Sequence, residues 1–104
     1  MKIIEMPAFV EWLANLKDKS IQLRINIKIR KIKTDGLHGD IKPIGESASE
    51  IRFHFGAGYR VYFLQHGEEL IFLLGGSEKK DQQKSIDEAK ELAKKIKNKG
   101  VKYE

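Results

Sequence analysis

The chain has 104 residues, of which 40% are apolar and none is cysteine, so disulfides, thiolate catalysis and cysteine-based zinc sites are excluded. This length fits one domain, whose single core is built from helices packed on a sheet. The 20 Lys and Arg residues and 15 Asp and Glu residues give a formal net charge of +5, which suits a polyanionic or acidic partner or, equally, simple solubility.

The N-terminal segment is predicted to form a strand followed by a helix. Residues 2–5 are β-prone, and Pro7 suits the first turn of a helix. One apolar helical face follows at the spacing i, i+3, i+4 and i+7, made by Phe9, Trp12, Leu13 and Leu16. Because the segment has no long apolar core and carries Glu5 and Glu11, it is neither a signal peptide nor a membrane span. We therefore expect a cytoplasmic protein with no membrane partner.

Residues 21–32 fit two periodicities, with Ser20 as a candidate N-cap if they form a helix. Apolar and polar residues alternate up to Arg30, which favours a long strand. A helical stripe fits as well, and its members are Ile21, Ile25, Ile29 and Ile32. The period alone favours a strand, although the Lys and Arg residues are good helix formers.

The remainder of the chain reads as a meander of strands and a final helix. After a loop over residues 33–40, strands are predicted at residues 41–44, 51–55, 59–64 and 70–74. Pro43 indicates that the first of these lies at an edge of the sheet. The turns between them are predicted at residues 45–49, 56–58 and 65–68, and Gly75-Gly76 should end the last strand. A helix is predicted over residues 82–98, with Gly100 as its stop signal. Its inner apolar stripe is predicted to contain Ile86, Ala89, Leu92, Ala93 and Ile96.

Basic and aromatic side chains gather around the predicted turn at residues 56–58. Alternation sends Arg52 and His54 to one face of their strand, and Arg60 reaches that face if the next strand pairs back across the turn. Tyr59 can stack a splayed base if its ring faces outward. Lys79 and Lys80 follow the last strand and can converge on the same patch.

This set of residues suits cleavage of RNA by its own 2′-hydroxyl. Such a reaction needs proton transfer, which His54 can perform near neutral pH, and positive charge at the phosphate, which Arg52 and Arg60 can supply. Each residue also has a plainer interpretation, as a solvated charge or a packing tyrosine. No spacing of His, Asp and Glu resembles a metal site, and we expect no cofactor.

Several short motifs carry a family resemblance over residues 9–96. They are Trp12-Leu13, Gly39-Asp40-Ile41-Lys42, Gly45-Glu46 with Glu50-Ile51-Arg52, Gly56-Ala57-Gly58-Tyr59-Arg60-Val61-Tyr62-Phe63, and Leu73-Leu74-Gly75-Gly76. On these motifs the chain resembles the addiction module killer proteins, the HigB-like branch of the RelE/ParE superfamily of bacterial toxins.

The resemblance implies an α+β fold in which residues 1–104 form a single toxin domain. Its small, antiparallel-rich sheet would have four to five strands, with two N-terminal helices and one C-terminal helix. It thereby favours a helix over residues 21–32. It also implies the toxin of a type II toxin–antitoxin system, a metal-independent mRNA endoribonuclease that acts on the ribosome and is neutralised by a cognate antitoxin. An acidic antitoxin segment would lie over the cleft or over the first two helices.

Site residues are also implied by the resemblance. Arg60 corresponds to the phosphate-gripping arginine, Arg52 to a second basic residue, and Lys79 or Lys80 to the basic residue after the last strand. Lys42 and Gln82 are implied to contact RNA, the latter near the position of a C-terminal tyrosine in many members. On this view Arg60→Ala abolishes growth arrest and leaves the fold intact.

The sequence leaves two alternatives to the endoribonuclease function. One is a non-catalytic, ParE-like inhibitor of DNA gyrase, and the other is a non-toxic binding module.

Overall fold

The computed structural model describes residues 1–68 and 70–99. This part of the chain folds as an α+β structure, which confirms the predicted class. Its strands are β1 (Lys2–Glu5), β2 (Asp40–Gly45), β3 (Ala48–Arg52), β4 (Arg60–His66) and β5 (Leu70–Ser77). Its helices are α1 (Pro7–Ala14), α2 (Lys19–Asp35) and α3 (Gln82–Asn98), and a single 3-10 turn (Lys79–Asp81) precedes α3.

The five strands form one mixed sheet in the order β1-β5-β4-β3-β2. Strand β1 pairs parallel with β5, and the other neighbours pair antiparallel. Strand β2 is therefore an edge strand, as predicted from Pro43, whose missing N–H is tolerated there. Alternating side chains then divide the interior of the sheet between two faces.

Helices α1 and α2 cover one face of the sheet, and α3 covers the other. The first core layer contains Phe9 and three isoleucines of α2 packed on inward-facing residues of the strands, namely Ile51, Val61, Phe63, Ile71 and Leu73. The second layer packs Ala89, Ala93 and Ile96 of α3 on Tyr62, Leu64, Phe72 and Leu74. The predicted inner stripe of α3 is confirmed, as are the bounds of that helix.

Residues 21–32 are helical, which confirms the reading favoured by the resemblance. Ile21, Ile25 and Ile32 are buried on one side of α2, because residues three, four and seven apart share a helix face. The prediction of Ser20 as N-cap is wrong. Asp18 is the cap, since its Oδ1 accepts a hydrogen bond from the Ser20 backbone N–H at 2.9 Å.

Two predicted boundaries shift around α2. The helix continues into the predicted loop of residues 33–40 and ends at Asp35. Gly36 caps it, with a φ of +90° that suits glycine. Leu16, predicted on α1, lies beyond the end of that helix and still packs against the first core layer.

The predicted hairpin around residues 56–58 is looser than expected. Strand β3 begins at Ala48, earlier than predicted, and ends at Arg52, so residues 53–59 form a loop between β3 and β4. The ring centre of Phe55 lies 5.5 Å from that of Phe53 and 6.0 Å from that of Tyr59. This aromatic cluster is found where the strands were predicted to continue. A backbone hydrogen bond of 2.9 Å from Phe53 to Tyr59 closes the loop.

Strand β5 also differs from the prediction, because Gly75-Gly76 does not end it. The pairing with β4 shifts between Tyr62 and Phe63, and the strand continues to Ser77. The ring of Trp12 occupies the space that a side chain at Gly76 would fill. This glycine therefore marks a close approach within a strand. The predicted helix stop at Gly100 lies outside the described residues.

Within residues 1–68 and 70–99, none of the helices combines the length and the apolar character needed to cross a membrane.

Candidate functional site

The sheet register brings predicted site residues into one row. Arg52 of β3 is the direct cross-strand partner of Arg60 on β4 and of Asp40 on β2. Directly paired residues share a face of the sheet, so the two guanidinium groups lie on the same side, as the sequence predicts. On that side, Ser77 of β5 completes the row.

At the end of this row lies a cleft of about 460 Å³. We call it the loop cleft, because the loop of residues 53–59 forms one wall and Lys79 of the 3-10 turn contributes to its lining. The backbone N–H of Lys79 donates to the carbonyl of Ala57 at 3.2 Å, which fastens the 3-10 turn to that loop. The cleft brings together five of the predicted site residues: Arg52, His54, Tyr59, Arg60 and Lys79.

Arg60, which the resemblance implies to grip phosphate, lies in a buried ion pair. Its Nε lies 3.1 Å from Oε2 of Glu50, and both side chains are only 6% exposed. Neither atom makes a hydrogen bond of good geometry. The contact is therefore an ion pair in which the Nε–H of Arg60 does not point at the carboxylate oxygen. The Nη1 of Arg60 donates a hydrogen bond to the carbonyl of Gly58 at 2.8 Å. Arg60 therefore holds the loop from inside the protein, and little of its side chain is exposed to the cleft that it lines.

A second buried polar pair lies beside Arg60. The hydroxyl groups of Tyr62 and Ser77 share a hydrogen bond of 2.7 Å, and both residues are fully buried. Burial raises the pKa of the Tyr62 phenol, and the hydrogen bond with Ser77 opposes this rise in pKa only in part. The negative charge of Glu50 contributes a further rise to this pKa, because it disfavours a second anion nearby.

His54 stands at the mouth of the loop cleft with a carboxylate partner. Its Nε2 lies 2.8 Å from Oδ2 of Asp40, and its side chain is 75% exposed. An ionised carboxylate can only accept hydrogen bonds, so Nε2 carries the proton and donates it. The other ring nitrogen, Nδ1, is then the acceptor that faces away from Asp40.

Tyr59, the aromatic residue predicted for the site, is only partly exposed to a ligand. Tyr59 is half-buried, and its ring packs 6.0 Å from that of Phe55 at an angle of 38°. The guanidinium of Arg24, on α2, lies 4.8 Å from the centre of the Phe55 ring. The cleft wall is thus supported by α2, and Tyr59 both packs there and lines the cleft.

Three predicted site residues do not line the loop cleft. Lys80 is 78% exposed, and its Nζ lies 3.7 Å from Oε2 of Glu78. Lys42 is exposed on the edge strand β2, and Gln82 is the first residue of α3. Of the two lysines considered for this role, Lys79 and not Lys80 can therefore contact a ligand in the cleft.

Sequence reasoning missed the partners of the basic residues. Glu50 lies two residues before Arg52 and so on the same strand face, which is the signal that could have indicated a partner for Arg60. The sequence gives no comparable signal for Asp40 and Ser77, because their positions next to the basic residues depend on the strand register, which the sequence does not fix.

Within residues 1–68 and 70–99, no group of three or more His, Asp or Glu side chains could hold a metal ion.

Comparison with known proteins identifies one informative relative. No protein-family model matches the chain. A protein of Haemophilus influenzae (strain ATCC 51907 / DSM 11121 / KW20 / Rd), described as an uncharacterized protein, is 38% identical over 88 residues. The match covers 85% of this chain and 88% of the relative. The similarity therefore extends over nearly the whole length of both proteins.

Proposed function

We propose that this chain, which belongs to the same family as the Haemophilus influenzae protein, is the toxin of a type II toxin–antitoxin system and cuts mRNA. The observation that carries the proposal is the convergence of Arg52, His54 and Lys79 on the loop cleft. The resemblance to the HigB-like branch of the RelE/ParE superfamily supports the same activity. A cognate antitoxin would neutralise the protein, and the substrate would be mRNA engaged by the cytoplasmic ribosome.

The geometry suits cleavage through the RNA 2′-hydroxyl. Nδ1 of His54 takes the proton of this hydroxyl, and the 2′-oxygen attacks the adjacent phosphorus. The bond from phosphorus to the 5′-oxygen breaks, which leaves a 2′,3′-cyclic phosphate on one fragment. The ammonium group of Lys79 protonates the departing 5′-oxygen.

Positive charge in the cleft would stabilise the negative charge of the phosphate during this reaction. Arg52 is half-buried and has no carboxylate within ion-pair distance among the described residues, so its guanidinium is available to non-bridging oxygens. Asp40 keeps the His54 ring in one orientation. The partly exposed face of Tyr59 is suited to stack a neighbouring base. The volume of the cleft, about 460 Å³, lies within the range of small-ligand sites.

Primer extension on cellular mRNA after brief induction tests the proposal. The wild-type chain should give discrete cuts, and His54→Ala should reduce them by about 10²-fold or more, because a positioned acid–base group contributes about that factor. His66→Ala is the matched control, since His66 is exposed at the opposite end of β4 from the cleft. Equal cutting by the His54→Ala variant and the wild type would contradict the proposal.

A second candidate function is inhibition of DNA gyrase without catalysis. The observation that favours it is the ion pair between Arg60 and Glu50, which removes from the cleft the guanidinium expected to grip phosphate. A supercoiling assay with purified chain separates the two functions. Inhibition of supercoiling with no RNA cut would favour the gyrase inhibitor, and cuts without inhibition would favour the nuclease.

A further inference from the structure

The net charge of the chain is concentrated in one helix. Helix α2 contains one anion, Asp35, and six cations, which are Lys19, Arg24, Lys28, Arg30, Lys31 and Lys33. Its net charge is therefore +5, the same as that of the whole chain with its 20 basic and 15 acidic residues. The other residues carry 14 charges of each sign and balance one another. The positive field of the protein thus originates mainly at α2.

Within residues 1–68 and 70–99, no carboxylate oxygen lies within ion-pair distance of a cation of α2. The ion pairs found there involve His54, Arg60 and lysines outside this helix. Burial lowers the pKa of Lys28, and the positive charge of Lys31 lowers that pKa further. Like charges on this helix therefore repel one another, and an approaching anionic group would relieve the repulsion.

The outward side of α2 also exposes two large apolar side chains. Leu23 is 56% exposed and Ile27 is 43% exposed. Since they are four residues apart, they lie together on one helix face, whereas Ile21 and Ile25 are buried against the core. Arg30 follows Ile27 by three residues and extends the same outward face. We call this surface, made of Leu23, Ile27 and the flanking cations, the α2 outer face.

We propose that the α2 outer face docks an acidic, amphipathic helix supplied by a partner protein. Such a helix would cover Leu23 and Ile27 with its apolar side, and its carboxylates would meet the unpaired cations on either flank. In the toxin–antitoxin pair proposed above, the antitoxin would supply this helix. Only that identification rests on the proposed function.

Other occupants fit the α2 outer face less well. A second copy of the chain would bring two helices of charge +5 together, which like-charge repulsion opposes. Nucleic acid would satisfy the cations but would bury the aliphatic pair against phosphates. A membrane surface requires a wide apolar face, and most of the isoleucines of α2 face the core of the protein.

Occupation of the α2 outer face would also bear on the loop cleft. Arg24 of α2 contacts the ring of Phe55, which belongs to the loop of residues 53–59. A carboxylate that binds Arg24 competes with this cation–π contact. The docked helix would therefore be coupled to the cleft wall through Arg24, and binding and cleavage would influence each other.

Fluorescence anisotropy with the full chain tests the proposal. The probe is a labelled synthetic peptide of about 20 residues, long enough to form a helix, with pairs of Leu four residues apart and Glu on either side. A second peptide has Gln in place of every Glu. The Glu peptide should bind at least about tenfold more tightly than the Gln peptide. That difference should shrink as salt rises above about 0.15 M, because screening weakens charge contacts.

Variants of the protein locate the binding surface. The double variant Leu23→Glu/Ile27→Glu should weaken binding of the Glu peptide by at least about tenfold. Val10→Glu, which alters an exposed apolar residue of α1, should bind as the wild type does. Equal binding by the double variant and the wild type overturns the proposal. It is also overturned if the peptide does not bind while single-stranded RNA or phosphatidylglycerol vesicles bind and the double variant loses that binding.

The two substitutions lie on the surface, so circular dichroism should show an unchanged helix content and melting curve. If the double variant does unfold, Leu23→Gln/Ile27→Gln serves in its place with the same expected loss. RNA cleavage does not enter this measurement. Failure of the nuclease assay therefore leaves the docking result standing, and failure of docking leaves the nuclease assay standing.

Discussion

Nε of Arg60 and Oε2 of Glu50 lie 3.1 Å apart on neighbouring strands, and both side chains are shielded from water. Glu50 is the register partner of Tyr62, so it meets Arg60 diagonally across the ladder. Two charges taken out of water are tolerated because each compensates the other. Arg60 also donates to the carbonyl of Gly58, so the pair anchors the loop that forms the cleft.

Removal of one partner of this pair should destabilise the fold strongly. We expect Arg60→Ala or Glu50→Ala to lower the free energy of unfolding by about 3–5 kcal/mol, because either change leaves a buried charge uncompensated. The double variant Glu50→Leu/Arg60→Met should recover most of this loss, since apolar residues of similar volume need no partner. Urea denaturation followed by circular dichroism measures all three.

Single variants as stable as the wild type would contradict this account of the ion pair. This expectation differs from the prediction, made from the sequence, that Arg60→Ala leaves the fold intact, and the measurement decides between them. Loss of growth arrest in that variant would not identify Arg60 as a catalytic residue, because loss of folding gives the same result.

Two adjacent lysines should differ sharply in their effect on RNA cleavage. Lys79 lines the loop cleft, whereas Lys80 points to solvent beside Glu78. Lys79→Ala should lower the cleavage rate by about 10²-fold, the lower range for a group that transfers a proton. Lys80→Ala should leave it within about a factor of two, as an exposed ion pair contributes little. Single-turnover cleavage of a labelled RNA, with both variants checked for folding, decides the matter. The opposite ranking would reassign the basic residue.

The tautomer of His54 should be fixed by Asp40. With Nε2 donating to the carboxylate, neutral His54 should show a protonated Nε2 and an unprotonated Nδ1. Heteronuclear NMR of ¹⁵N-labelled protein reads the two ring nitrogens directly. In Asp40→Asn the preference should weaken and the cleavage rate should fall. A wild-type ring with its proton on Nδ1 would show that Asp40 does not position His54 as described.

Gly75 and Gly76 should respond differently to the same substitution. A methyl group at Gly76 would overlap the six-membered ring of Trp12, and no atom lies near a methyl group at Gly75. Gly76→Ala should therefore cost about 1–3 kcal/mol of stability, as overpacking usually does. Gly75→Ala should be close to neutral or slightly stabilising. Thermal unfolding of both variants gives the comparison, and similar melting temperatures would contradict the close packing of Trp12 on β5.

The buried phenol of Tyr62 should make stability depend on alkaline pH. Its pKa in the folded protein is raised above the ordinary value of 10.0, so below pH 10 both the folded and the unfolded chain hold the proton. Above that pH the unfolded chain loses its proton first, and stability falls as pH rises through the folded-state pKa. Tyr62→Phe lacks this titration but leaves the Ser77 hydroxyl unpaired, at a cost of about 1–3 kcal/mol.

The stability advantage of the wild type over Tyr62→Phe should therefore be constant at neutral pH and should shrink above about pH 10. The urea midpoints of the two proteins are measured side by side across this pH range. Because the other tyrosines and the lysines titrate in both proteins, their contributions cancel in the difference. A constant difference throughout would mean that the phenol is not shifted in the folded state.

Local chemistry made much of the fold predictable from the sequence. The apolar period fixed α3, and Pro43 indicated the edge position of β2. The shared face of Arg52 and Arg60 followed from alternation along paired strands. In α2, however, period 2 and period 3.6 coexist, and only the contacts of the isoleucines with the sheet decide between them.

The details of the candidate site depend on contacts that the sequence does not encode locally. Residues 53–55 continue the alternation of β3, yet their aromatic rings gather into a cluster and end the strand. The burial of Arg60 depends on its contacts with Glu50 and with the carbonyl of Gly58. Asp40 meets His54 only because the chain turns after Arg52. These are tertiary relationships, and no window of neighbouring residues contains them.

The parallel pairing of β1 with β5 affects how the protein forms during synthesis. Lys2 pairs with Leu70, so β1 cannot pair in the sheet until β5 has been synthesised and has left the ribosome. Contacts this distant in sequence are slow to form. Lys79, which follows β5, reaches its place only after that step. A nascent chain would therefore lack an assembled loop cleft, and any activity that depends on the cleft would begin only after β5 and Lys79 have been made.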